Sequence, residues 1–347
     1  MIGSGCLMAE VRLEGISKSF GDTQAIQGLD LTIHDGEFFV LLGPTGMGKT
    51  TTLRLVAGLD KPDSGRVFIG GQDATDWHPA ARDVTFVFQQ FSLYPHYSVF
   101  DNLAFPLRSP LRRQPESEVK RRVQEVAASL RIDHKLKNKA TQLSGGEMQR
   151  VAIGRALVRE PSVFLMDEPM SSLDAKLRED LRAELKRIQV RLGATIVYVT
   201  HDQIEATTLS DRIGILRNGK LEQVASPRDV YNDPKSLYVA ERLGTPAINV
   251  LPASWSTDAA PNGTAFIGIR PEDVQLEKLD SALGTPGTIE VVESLGPQHQ
   301  AVLSSQNSEV RALVPLDVPL IRGNQVNVFL PPEKRLYFSA NGERIRA

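Results

Sequence analysis

Cysteine is almost missing from this chain of 347 residues: Cys6 stands alone, so no internal disulfide can form, and the reducing cytosol is the favoured compartment. No apolar run approaches the roughly 18 residues that a spanning helix requires. No basic start followed by an apolar segment marks secretion, so any work at a membrane is that of a peripheral subunit. Net charge is also scarce. Forty Lys and Arg against 42 Asp and Glu leave a formal charge of -2, which supplies no electrostatic footprint for a polyanion such as DNA. Internal repeats and low-complexity tracts are absent too. What remains is ordinary for a globular chain, 41% hydrophobic and 24% charged, and long enough for two domains.

From Val11 to Leu216 short β-branched runs alternate with helical patterns, the arrangement of a largely parallel α/β sheet. The expected strands are Val40–Leu42, Val84–Phe88, Val163–Met166, Thr195–Val199 and Arg212–Leu216. Residues of about 91–160 read as a helical insertion: Val119, Val123 and Val126 share one face, and a second amphipathic stretch follows Gly146. Leu173, Leu177, Leu181, Leu185, Ile188 and Leu192 form a core stripe that ends at Gly193. After Gly244 short β-like pieces broken by Pro and Gly predict a small all-β barrel or sandwich, with strands at Thr264–Ile269, Thr288–Val292, Val310–Val314 and Gln325–Phe329. The expected division is therefore a leader at 1–8, with Met1 or Met8 as the start, a first domain at 9–243 and a second at 244–347.

Gly43-Pro44-Thr45-Gly46-Met47-Gly48-Lys49-Thr50 matches GxxxxGK[ST] between a strand and a helix. Its glycines let successive N–H groups, through Thr51, turn inward around phosphates at a helix N-terminus. Lys49 reaches the β- and γ-phosphates, and Thr50 can hold Mg²⁺. Val163–Met166 ends in Asp167 and Glu168, two carboxylates at the carboxyl end of a strand, where open α/β sheets place ligands. Asp167 suits Mg²⁺, and Glu168 suits polarisation of an attacking water.

Leu143-Ser144-Gly145-Gly146-Glu147-Met148-Gln149-Arg150 resembles the LSGGQ signature of ABC ATPases. The resemblance implies a phosphate-loop ATPase with a RecA-like core and helical subdomain, ATP and Mg²⁺ as ligands, and a head-to-tail homodimer in which each signature turn closes the partner's site. It also implies roles for further residues. Phe20 would stack on adenine, Gln89 would sense Mg²⁺ and link the site to the helical region, Asp174 would lie in the loop crossing the dimer interface, and His201 would contact the γ-phosphate. Leu93-Tyr94-Pro95-His96 and Gly268-Ile269-Arg270-Pro271-Glu272-Asp273 look like the importer ATPases of the maltose and glycerol-3-phosphate type. Those carry an OB-like regulatory domain of the TOBE type and work beneath two permease subunits on the cytoplasmic face of the membrane. An extracytoplasmic solute-binding protein, and a regulatory protein on the C-terminal domain, are the other partners implied. Importers of polyamine, sulfate or iron share the front domain and stay as alternatives. A nucleic-acid or ribosome ATPase is disfavoured, because the tail has no basic stripe or clustered aromatics. Two positions depart from the family pattern: Glu147 stands where Gln is usual, and Met47 where a small residue is usual.

Overall fold

The computed structural model describes residues 9–110, 113–255, 260–279 and 284–346. The leader assigned to 1–8, with Cys6, Met1 and Met8, lies outside them. The chain forms two compact units, Met1–Pro227 and Arg228–Ala347.

In the first unit β1 (Val11–Phe20) and β2 (Thr23–Ile33) pair antiparallel, β3 (Phe38–Leu42) enters a second sheet, and β4 (Ser64–Ile69) and β5 (Gln72–Asp73) return to the first. β6 (Val84–Val87), β7 (Val163–Asp167), β8 (Thr195–Thr200) and β9 (Arg212–Arg217) join β3 in one parallel set, and β10 (Lys220–Ala225) pairs antiparallel at its edge, in the order β10-β9-β3-β8-β7-β6. Every residue of β3, β7 and β8 is buried, which is why these strands read as unbroken apolar runs. The front sheet corrects the expectation of one largely parallel sheet. Val11 and Leu13 of β1 alternate with more exposed neighbours, but three register shifts against β2 then break the pattern, so the two-residue period fades from the sequence.

The helices lying wholly within the first unit are α1 (Lys49–Ala57), α2 (Val99–Arg108), α3 (Glu116–Ser129), α4 (Gly145–Leu157), α5 (Ala175–Leu192) and α6 (Gln203–Leu209). α1 fills the space between the two sheets: Leu53, Leu55 and Val56 share one core with Leu13 and Ile16 of β1 and with Phe39 and Leu41 of β3. That packing fixes the start of α1, and with it the preceding glycine loop. α2, α3 and α4 are the expected helical insertion, with Val119 and Val123 buried. α5 buries Leu181, Leu185 and Ile188 of the predicted stripe and ends at Gly193, whose φ of 61° is the left-handed cap.

The second unit holds two antiparallel sheets. One has Asn249–Pro252, Phe266–Ile269, Leu336–Phe338 and Arg344–Ile345; the other orders Gln275–Glu277, Gln325–Phe329, Thr285–Ser294, Gln298–Ser305 and Ser308–Pro315. The division falls at 227/228 rather than near 243 to 247. Arg270 supplies the reason: its buried guanidinium donates to Ala240 O at 2.9 Å, Leu243 O at 2.6 Å and Tyr231 O at 2.8 Å, and lies 3.8 Å from the Tyr231 ring centre. Residues 231–243 are thereby tied to the β-rich unit.

Candidate functional site

Parallel strands end on one side of their sheet, so Leu42, Asp167 and Thr200 bring the segments that follow them together; Leu42 is paired with Thr200 and Asp167 with Val199. After Leu42 the loop Gly43–Gly48 turns into α1. Gly48 has a φ of 98°, and a Cβ there would stand 2.4 Å from Ala25 O, so only glycine fits between the β2 backbone and the start of α1. Lys49 is buried and donates to Gly43 O at 2.7 Å and Pro44 O at 2.8 Å, which curls its ammonium back over the loop. Burial pushes the Lys49 pKa down, against the opposing pull of Glu168 and Asp167.

Thr50 Oγ1 donates to Asp167 Oδ1 at 3.0 Å. Burial pushes the Asp167 carboxyl up, and the Thr50 hydroxyl counters it. Glu168 carries a φ of 43°, the left-handed region uncommon for a residue with a side chain. Its amide donates to Val199 O at 3.0 Å, so the turn is held by β8. Glu168 Oε1 lies 3.8 Å from Lys49 Nζ. Its Oε2 accepts from the Gln89 amide at 3.4 Å and is 3.0 Å from His201 Nδ1. Three residues far apart in sequence thus meet on one carboxylate.

A cleft of about 380 Å³ is lined by Thr45, Gly46, Lys49, Thr50, Gln89 and Glu168, with Thr23–Ala25 and Asn218–Gly219 along its wall; Asp167 and His201 are not part of its lining. Sequence reasoning missed that wall, although Asn218-Gly219 is a turn signal and joins β9 to β10. Phe20 is half exposed at the turn that pairs it with Thr23, so it is not core, and it does not itself line the cleft. Met47 is held by the same wall: Asn218 N–H donates to its sulfur at 3.3 Å, and Gly219 N–H to its carbonyl at 3.1 Å. The side chain also packs on the main core. Met47→Ala is expected to lower the melting temperature of the first unit by about 2–4 °C, measured by circular dichroism, because only a partly buried side chain is lost.

His201 is positioned from below. Thr200 Oγ1 donates to buried Glu205 at 2.7 Å and accepts the Asp202 N–H at 3.0 Å, spanning the histidine; the Tyr198 hydroxyl donates to the same Glu205 at 2.8 Å. Arg178 then joins Asp202, at 3.2 Å, to Leu173 O, at 3.0 Å, tying this segment to the Ser172–Asp174 loop. No motif announces Arg178 or Glu205 in the sequence. Asp174 caps α5 by accepting Leu177 N–H at 2.9 Å and stays exposed.

Ser144 caps α4 at an exposed position, and Gly145, Gly146 and Glu147 form its first turn. A Cβ on Gly146 would lie 2.3 Å from Leu177 Cδ2, so the close approach of α4 to α5 excludes larger residues without repacking. Neither Ser144–Glu147 nor Asp174 lines the cleft. Among the described residues no helix is long and apolar enough to cross a membrane.

The ABC transporter family model matches residues 26–171, and the TOBE domain model residues 267–338. The chain is 49% identical over 278 residues to the sn-glycerol-3-phosphate import ATP-binding protein of Rhizobium meliloti (strain 1021), covering 78% of this chain and 79% of that relative. It is 44% identical over 326 residues to the trehalose/maltose import ATP-binding protein of Thermococcus litoralis, covering 84% and 87%. A bacterial ABC transporter cassette solved as a dimer superposes with a TM-score of 0.58 at 33% identity, over 63% of this chain and 99% of that one. With a phosphate loop, paired carboxylates and a glycine-rich signature turn on the fold these relatives share, the chain belongs to the family of ABC importer ATP-binding proteins.

Proposed function

We propose that the chain is the ATP-hydrolysing subunit of an importer for glycerol-3-phosphate or a related carbohydrate. It works as a homodimer at the cytoplasmic face of the membrane, beneath two permease subunits that receive solute from an extracytoplasmic binding protein. The observation that carries the ATPase reading is the meeting of Lys49, Gln89 and His201 on Glu168 at the mouth of the phosphate-loop cleft. The solute class draws support from relatives named for glycerol-3-phosphate and for trehalose or maltose.

In this reading the triphosphate lies along the N–H groups of Gly46–Thr51, with Lys49 on its terminal phosphates and the Phe20 ring open to adenine. Glu168 orients a water for attack on the γ-phosphorus and takes its proton, while Lys49 and His201 face the charge on the departing phosphoryl oxygens. Thr50, Asp167 and Gln89 fit Mg²⁺: a hydroxyl and a carboxylate 3.0 Å apart are hard oxygen donors that leave the other positions to phosphate and water. When bound, Mg²⁺ neutralises charge on the β- and γ-phosphates. Because Ser144–Glu147 lie off the cleft, a second copy supplies that turn, as the dimeric cassette supports. Downstream of Gln89 the partly exposed rings of Tyr94, Tyr97 and Phe105 pack against one another at tilted angles and offer the permease an aromatic face. The C-terminal unit is assigned to regulation.

The test is hydrolysis in vesicles holding the chain, its permease and its binding protein. Stimulation by glycerol-3-phosphate, trehalose or maltose is expected. Stimulation by a polyamine, sulfate or iron instead would replace the solute class and keep the ATPase.

A further inference from the structure

We propose that Lys135 and Glu147 form a charge-balanced pair that sets how readily Ser144 receives a phosphate, with Glu147 as the restraining member. This rests on the reading that Ser144 faces the γ-phosphate held by a second copy.

Ser144 and Glu147 make a reciprocal cap: Ser144 Oγ accepts the Glu147 N–H at 3.3 Å, and Glu147 Oε2 accepts the Ser144 N–H at 2.8 Å. A glutamine would serve that purpose equally well. The carboxylate adds two things an amide oxygen and nitrogen would not. First, Oε2 also lies 3.1 Å from Ser144 Oγ, and its charge draws the hydroxyl proton toward Glu147 more strongly than a neutral amide oxygen in the same place would. Second, it sets a full negative charge at the N-terminus of α4, spending the positive end of the helix on the protein's own anion. The charged form is favoured: the Ser144 backbone bond first, then Lys135, hold the Glu147 pKa below its ordinary value.

Lys135, from the helical turn Asp133–Lys135, supplies the compensation. Its ammonium lies 3.1 Å from Oε1, the oxygen turned away from Ser144. The pair is partly exposed, with side chains 29% and 23% accessible, so each charge is felt by an anion arriving at Ser144. Neutralising the negative member loosens the hold on the hydroxyl and releases the helix end from its anion together. Removing the positive member leaves an uncompensated carboxylate facing the incoming phosphate.

Steady-state turnover of Mg-ATP by the full-length chain tests this. Glu147→Gln is expected to lower KM for ATP by about threefold to tenfold, the effect of one charge at a helix terminus, with the change in KM rather than kcat. Lys135→Ala is expected to raise KM by a similar factor, and Lys135→Arg to restore it. A merely structural role for the cap would not improve affinity on mutation. An unchanged or higher KM in Glu147→Gln overturns the proposal. Ser144→Arg separates the layers: its loss of turnover alongside an unchanged Glu147→Gln sinks the pair's role alone, whereas wild-type turnover in Ser144→Arg overturns the underlying reading and the proposal together.

Discussion

Glu168→Gln is expected to bind ATP with near-normal affinity and to hydrolyse it about 10²- to 10⁴-fold more slowly, the usual worth of a positioned general base. The amide keeps the size of the side chain and can still accept from Gln89, so the turn held by Val199 O survives. What disappears is the group proposed to take the proton of the attacking water, and the negative charge that Lys49 and His201 face at 3.8 and 3.0 Å. Nucleotide binding by fluorescence and phosphate release by a coupled assay separate the two effects. Near-normal release would remove Glu168 from the chemistry and leave His201 as the next group able to orient water.

Arg270→Ala is expected to destabilise the second unit by about 3 kcal/mol or more, since two buried carbonyls and one partly buried carbonyl lose a charged donor at once and each orphaned group costs about 1–3 kcal/mol. The lost stacking on Tyr231 adds to this. The chain's two tryptophans make the measurement clean: Trp255 is buried in the second unit and Trp77 belongs to the first. In a Trp77→Phe background, urea unfolding followed by Trp255 should shift to lower denaturant. An unchanged midpoint would mean that water replaces the guanidinium without cost.

The same residue explains what the sequence hides. The Gly268–Asp273 motif is legible as a string, yet Arg270 acts on carbonyls 27, 30 and 39 residues away, and no local pattern signals where such a donor lands. The division at 227/228 lies upstream of the change in composition for that reason. The phosphate loop and the Asp167-Glu168 pair were legible because each is contiguous and each sits at a strand end fixed by an apolar run. Their convergence with Gln89 and His201 depends on parallel pairing of β3, β7 and β8, which local periodicity does not encode; family resemblance filled that gap. Resemblance alone assigned Ser144 and Asp174 to the site, and both lie off the cleft. Arg178 and Glu205 escaped because their partners are a main-chain carbonyl, a carboxylate 24 residues away and buried hydroxyls, contacts that leave no spacing to read. The antiparallel front sheet escaped because bulges in β1 scramble the alternation of Val11, Leu13 and Ile16.

Mixing two inactive variants reads the shared site most directly. Ser144→Arg keeps its own Glu168, and Glu168→Gln keeps its own Ser144, so each alone should be nearly silent. A mixed dimer would contain one cleft with an intact base facing an intact serine. Turnover that appears on mixing, and grows with the mixed fraction, is the predicted result; silence at every ratio, with both variants folded and binding ATP, would contradict a site built from two copies.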